Sequence, residues 1–184
     1  LLQQATRLDV EAIAITNKAA LKFKNIFSNS EELLKAHAKP GDIVVAAIVG
    51  FAGVAPVLTA VKCGCDIALA NKETLVAAGE IIMKAVQKAG VRLLPVDSEH
   101  SAIYQALSEH PNAEIAKITL TASGGSLRNI KTEDLSNATV EQVLNHPTWS
   151  MGAKVTVDSA SLMNKALELI EACWLFDVKD DRLE

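Results

Sequence analysis

The chain has 184 residues, 49% of them apolar and only 4% aromatic, with a formal net charge of −4. That is enough apolar content for one large or two small domains with aliphatic α/β cores. The negative balance excludes electrostatic capture of nucleic acid, and no apolar run is long enough to span a bilayer. Cys63, Cys65 and Cys173 show no metal-ligand spacing, and their odd number argues against a disulfide framework, so reduced thiols of a cytosolic compartment are expected. The first residues are no secretory signal and lack an initiating methionine, and the last, Lys179 to Glu184, bring no closing element. The expectation is an internal piece of a longer protein.

Residues 9–16 read as a strand entering a loop at Asn17-Lys18, and Ala19 to Phe27 as weakly helical. Ser30 is placed to cap a helix that Pro40-Gly41 ends. Residues 42–50 then form a continuous apolar run, as in a strand buried on both faces of a parallel sheet. A helix over 54–62, a strand over 65–70, a helix over 74–89 and a strand over 91–96 complete a doubly wound α/β pattern. In that pattern function lies at the carboxyl ends of the strands.

Those ends carry suggestive residues. Gly50-Phe51-Ala52-Gly53 has two of the glycines of a dinucleotide turn, but close packing explains G-x-x-G equally well. At Asn71-Lys72-Glu73, capping accounts for Asn71 and the helix dipole for Glu73, leaving Lys72 unexplained. Asp97-Ser98-Glu99-His100 opens a helix through Ile103, Tyr104 and Leu107. Asp97 reads alone as an N-cap and His100 as structural. A strand-to-helix corner can nevertheless aim residues i and i+2 at one point, and two converging carboxylates then require a cation. Hard oxygen ligands select Mg²⁺ or Mn²⁺.

A strand over 116–121 leads to Ser123-Gly124-Gly125, where a hydroxyl beside two glycines lets the chain approach an anion; a plain turn is the simpler account. Short helices are expected over 129–145. The densest stretch follows: His146 to Gly152, then Val155 to Ser161 into Asn164-Lys165 and Glu168, read as a loop, a strand and a helix starting near Ser159 or Ser161. Such a helix start offers N–H groups, hydroxyls and the Lys165 ammonium to a phosphate. Asn164 and Glu168, one turn apart, share a face. Taken singly, Ser159 reads as a cap and Lys165 with Glu168 as a solvated ion pair.

Taken together, the run HPTWSMGAKVTVDSASLMNKALELIEA, with Ala-Asn-Lys-Glu, Pro-Val-Asp-Ser-Glu-His and Ser-Gly-Gly before it in order, resembles the 1-deoxy-D-xylulose 5-phosphate reductoisomerase family. Ser126-Leu127 stands where the family has Pro-Phe, so the loop after Ser123 is open to a different placement. The resemblance implies an α/β chain: residues 1–96 as the C-terminal part of a Rossmann-like NADPH-binding domain, and 97–184 as an incomplete catalytic domain. It implies an internal fragment lacking the family's N-terminal glycine-rich loop and C-terminal helical domain, so that residues 1–184 by themselves are expected to be inactive.

The activity implied is the NADPH- and metal-dependent rearrangement and reduction of 1-deoxy-D-xylulose 5-phosphate to 2-C-methyl-D-erythritol 4-phosphate, in the non-mevalonate isoprenoid pathway. Asp97, Glu99 and Glu168 would bind Mg²⁺ or Mn²⁺. Lys72, Ser98, Glu99, Ser123, His146, Trp149, Ser159, Asn164, Lys165 and Glu168 would bind substrate, with Lys72, Glu99, His146 and Glu168 catalytic. Asn71, Glu73 and Gly152 would meet the nicotinamide end of NADPH, and Trp149 and Met151 would form a lid. The full-length family is homodimeric, and the setting is bacterial cytoplasm or a plastid, with no nucleic acid or membrane partner. Two rivals share the phosphate kit: a metal-dependent sugar-phosphate aldolase or isomerase, and a non-catalytic phosphosugar-binding fragment.

Overall fold

The computed structural model describes residues 1–16, 22–110 and 114–184. It divides into two compact units, Leu1–Asp97 and Ser98–Glu184. Among the described residues no helix is long and apolar enough to cross a membrane.

The first unit is α/β. Helix α1 (Leu2–Arg7) precedes a short parallel pair, β1 (Ile13–Ala14) and β2 (Ile26–Phe27). The expected strand over 9–16 is therefore two residues long, and Ile26–Phe27 is strand where helix was expected. Asn17-Lys18 and residues 19–21 lie outside the described residues. Helix α2 (Ser30–His37) is capped by Asn29 rather than Ser30. The Asn29 side chain accepts from the Glu32 amide at 2.8 Å, and the Glu32 carboxylate accepts from the Ser28 amide at 3.2 Å. Two otherwise orphaned donors are met by this exchange.

Strands β3 (Ile43–Ala46), β4 (Asp66–Leu69) and β5 (Leu93–Pro95) form a parallel sheet in that order, linked by α3 (Val54–Lys62) and α4 (Glu73–Ala89). Val57, Ala60 and Val61 of α3, Ile67 and Leu69 of β4, and Leu75 and Ile82 of α4 are the buried centre. β4 is flanked on both sides and buries Ile67 and Leu69 completely. β3 is not buried on both faces as its sequence suggests: it ends the row, and Ile43 and Val45 are 59% and 67% exposed. Helix α4 bends at Ala78, beside Gly79, and ends at Gly90 in the left-handed conformation favoured by glycine.

Asp66 ties β4 to β5: its carboxylate accepts from the Arg92 amide at 2.7 Å and from Nε and Nη2 at 2.8 and 2.6 Å. The Arg92 side chain, then its amide, hold the Asp66 carboxyl below the ordinary range. A carboxyl depressed in the folded state stabilises above its unfolded pKa of about 3.9, and that contribution fades as pH falls through the folded value. The expected result is a shallower loss of stability on the acid side in Asp66→Asn, read from thermal melts between pH 6 and pH 2.

The second unit is mostly helical. α5 (Ser98–Ser108) begins it. The segment expected as a strand over 116–121 is extended, pairing with the chain end through a parallel bridge of Ile118 to Leu183. After 3-10 turns over Thr132–Asn137 comes α6 (Val140–Leu144), with a complete capping box between Thr139 and Gln142. The expected strand around 155–157 is helix α7 (Ala153–Ala160). Its β-branched run reads as strand, yet the Thr156 and Ser159 hydroxyls donate back to the carbonyls of Gly152 and Val155. Lys154 also pairs with Asp158 one turn on. Helix α8 (Met163–Phe176) starts after Leu162, at φ 62°, rather than at Ser159 or Ser161.

Candidate functional site

In the first unit the carboxyl ends of β3 and β4 carry the candidate groups. Asn71 is 4% exposed and its side-chain oxygen accepts from the Thr74 amide at 2.8 Å, a bond that steadies the start of α4. Glu73 accepts from the Asn71 amide at 2.9 Å. Lys72, the residue that capping rules leave over, is ion-paired with Asp97 at 2.5 Å, the two side chains 12% and 21% exposed. The last residue of this unit is thus held by an ammonium from the β4–α4 corner.

In the second unit α5 and α8 bring acids together. Glu168 is 2% exposed; its two oxygens take the Asn164 amide at 2.5 Å and the Lys165 ammonium. Lys165 also reaches Glu99 on α5 at 2.9 Å. The shared face of Asn164 and Glu168 is as expected, but Lys165 and Glu168 are no solvated pair. Burial opposes the charge on Glu99, yet hydrogen bonds from Ser98 and Lys165 outweigh it and leave its pKa below the ordinary value. For Lys165 burial likewise opposes the charge, while bonds to Glu168 and then Glu99 prevail and raise its pKa. Two carboxylates therefore share one positive charge in a part-buried place. These hard oxygen donors suit a divalent cation such as Mg²⁺ or Mn²⁺.

His100 is wholly buried beside this cluster. Its Nε2 lies 3.0 Å from the Glu168 carbonyl, its Nδ1 3.7 Å from the Glu171 carboxylate, and its ring stacks on Phe176. The structural role expected of His100 is what this packing provides. Glu171, 2% exposed, escaped notice in the sequence. The signal was there: after Lys165 the helix is apolar except for two glutamates three apart.

The remaining candidates lie along the loops. Ser98 donates to Glu99 at 2.5 Å. Ser123 is exposed, and its carbonyl accepts from Arg128 at 2.8 Å, while Ser126 donates to the Val143 carbonyl at 2.8 Å. Ser159 sits in the last turn of α7, so its hydroxyl serves that helix and not the start of α8. His146 Nδ1 accepts from the amides of Thr148 and Trp149 at 3.2 and 3.0 Å, so the ring folds the turn that displays Trp149, 58% exposed, and Met151, 37% exposed. Gly152 precedes α7 with open space around its Cα.

Comparison with known proteins places this geometry. A family model described as 1-deoxy-D-xylulose 5-phosphate reductoisomerase matches residues 1–79, and one described as the C-terminal domain of that enzyme matches 93–176. A 1-deoxy-D-xylulose 5-phosphate reductoisomerase of an Exiguobacterium species is 53% identical over 169 residues, 91% of this chain and 44% of the relative. One from Chlorobium phaeovibrioides is 56% identical over 148 residues, 80% and 38% of the two chains. Among solved structures, the Zymomonas mobilis reductoisomerase in complex with NADPH superposes with a TM-score of 0.83 at 36% identity, covering all of this chain and 50% of that one. A DOX-P reductoisomerase in complex with NADPH, fosmidomycin and magnesium gives 0.79 at 42% identity, covering 99% and 44%. The chain spans half or less of each of these relatives. With two models of one family matched in order along most of its length, the chain belongs to the 1-deoxy-D-xylulose 5-phosphate reductoisomerase family.

Proposed function

We propose that the protein carries out the family's reaction: NADPH- and metal-dependent rearrangement of 1-deoxy-D-xylulose 5-phosphate and reduction to 2-C-methyl-D-erythritol 4-phosphate. The observation that supports it most is the part-buried cluster of Glu99, Lys165 and Glu168. Residues 1–96 are assigned to the cofactor domain and 97–184 to the catalytic domain. Asp97, which precedes Glu99 by two residues, completes the cation set with Glu99 and Glu168. A divalent cation held there would supply Lewis acidity toward the substrate carbonyl.

The chain's own groups supply the rest. Ser123, Ser159, Asn164 and Lys165 hold the phosphate, whose binding energy orients the reacting end. His146 closes on the same anion, and Ser98 and Lys72 orient substrate hydroxyls. Trp149 and Met151, held out on the turn that His146 ties, exclude water as a lid. Asn71, Glu73 and Gly152 serve the nicotinamide end of NADPH, where Gly53 and the left-handed Gly50 keep the β3–α3 loop close to the strand ends. A homodimer in the cytoplasm is the proposed setting.

The test follows NADPH absorbance on mixing the protein in its full-length form, 1-deoxy-D-xylulose 5-phosphate and Mg²⁺ or Mn²⁺, with and without a chelator. Oxidation of NADPH that stops on chelation is the expected result. Substrate conversion without NADPH consumption would point instead to an aldolase or isomerase. Binding without any turnover would point to a phosphosugar-binding role.

A further inference from the structure

The loop that follows Ser123 is fastened along its length within the second unit. Arg128 donates from Nη1 to the Ser123 carbonyl at 2.8 Å and from its amide to the Gly125 carbonyl at 3.2 Å. The remaining tie comes from Ser126, half-buried and standing where the family has proline. Its hydroxyl donates to the Val143 carbonyl at 2.8 Å, 17 residues along the chain. Val143 belongs to α6, which is five residues long. A capping box closes the start of that helix, and at its end the Asn145 amide takes the Glu141 and Gln142 carbonyls at 3.1 and 3.4 Å. The Val143 carbonyl is among the last four, which a helix leaves without an internal donor. Ser126 meets it from outside. A few residues on, His146 folds the turn that carries Trp149 and Met151. One hydroxyl thus joins the Ser123 loop to the stem of the His146 turn.

We propose that Ser126 is a positioning residue for the substrate phosphate: it sets the Ser123 loop against the stem of the His146 turn before the anion arrives, and it does not touch the anion itself. This rests on the phosphate reading above, in which Ser123 and His146 serve one anion. A phosphate accepts hydrogen bonds, and the single proton of the Ser126 hydroxyl is already given to Val143. Groups on two separate loops must otherwise be ordered at the moment of binding, which lowers affinity; a tie made in the free protein removes part of that cost. Proline stiffens such a place by fixing φ, with no hydroxyl to lend. Serine does it here through a bond to the neighbouring helix.

Ser126→Ala removes the hydroxyl and leaves the backbone free to keep its course. In the full-length protein, the KM for 1-deoxy-D-xylulose 5-phosphate and the inhibition constant of inorganic phosphate should rise together by about threefold to tenfold, the worth of one hydrogen bond. The kcat, the KM for NADPH and the Mn²⁺ affinity should stay at their unsubstituted values. Ser126→Thr keeps a hydroxyl and should restore both phosphate-dependent constants. In the ligand-free protein, amide hydrogen exchange over 145–149 should quicken in Ser126→Ala and not in Ser126→Thr. A lower denaturation midpoint in Ser126→Ala with both constants unchanged would mean a structural bond only and overturn the proposal. Raised constants with unchanged exchange would mean direct contact with the anion and overturn it as well. Inorganic phosphate that fails to inhibit the unsubstituted protein would overturn the phosphate reading itself, a result distinguishable from the other two.

Discussion

Glu168→Gln is expected to weaken Mn²⁺ binding by at least about 100-fold, since losing a group merely behind a metal ligand already costs about 10–100-fold. Metal-dependent turnover should fall with it. The substitution keeps the volume of a side chain that is 2% exposed and keeps an oxygen for the Asn164 amide, so the fold should persist. What it removes is one of the two charges that converge on Lys165. Glu99→Gln should act in the same direction from α5. Glu171→Gln is the control: it is equally buried, but its carboxylate faces His100. That change should lower the melting temperature and leave Mn²⁺ affinity in the folded protein intact. Calorimetric titration showing wild-type Mn²⁺ affinity in both Glu99→Gln and Glu168→Gln would remove the metal assignment.

The site was legible where it depends on local periodicity. Asn164 and Glu168 lie one turn apart, and any helix through them puts both side chains on one face. β4 and α3 were legible for a similar reason: they are apolar runs of the right length for a strand and a helix. The union of Lys165 with Glu99, 66 residues away, was not legible, because no local rule reports which helix packs on which. Without that contact the pair of Lys165 and Glu168 read, taken singly, as a solvated one. β3 misled through its composition. An all-apolar strand reads as central, but its place in the sheet is a tertiary fact, and it ends the row. α7 misled through its β-branched residues, whose strand preference is a weak prior that hydroxyl back-bonds and burial of Thr156 and Ala160 override.

Gly125→Ala should cost the second unit more stability than the same methyl group added at Gly124 or Gly152. A Cβ on Gly125 would lie 1.8 Å from the Ser159 carbonyl oxygen, 2.5 Å from its carbon and 2.6 Å from the Ala160 Cα. All three are backbone atoms of the last turn of α7, so no rotamer change relieves the overlap. Overpacking a well-packed core costs about 1–3 kcal/mol, and a rigid backbone neighbour puts this case at about the upper end or beyond. Gly152 meets nothing within 4 Å, so a Cβ there has room. Gly124→Ala is the closer contrast. It too is strained, at φ 80°, but its Cβ would meet Arg128 Cδ at 2.9 Å, the movable part of an exposed side chain. Its cost should be nearer the 1–2 kcal/mol of a residue forced into the left-handed region. The two glycines beside Ser123 therefore do different things: Gly124 makes the turn, and Gly125 lets the loop lie against the end of α7, where Ser159 is. If both serines serve the phosphate, Gly125→Ala should also weaken inorganic phosphate binding in whatever fraction folds, whereas Gly124→Ala should do so less. Chemical denaturation of the two variants side by side decides it: a Gly125→Ala midpoint equal to or above that of Gly124→Ala would show that α7 and the 123–125 loop are not in register as the close approach requires.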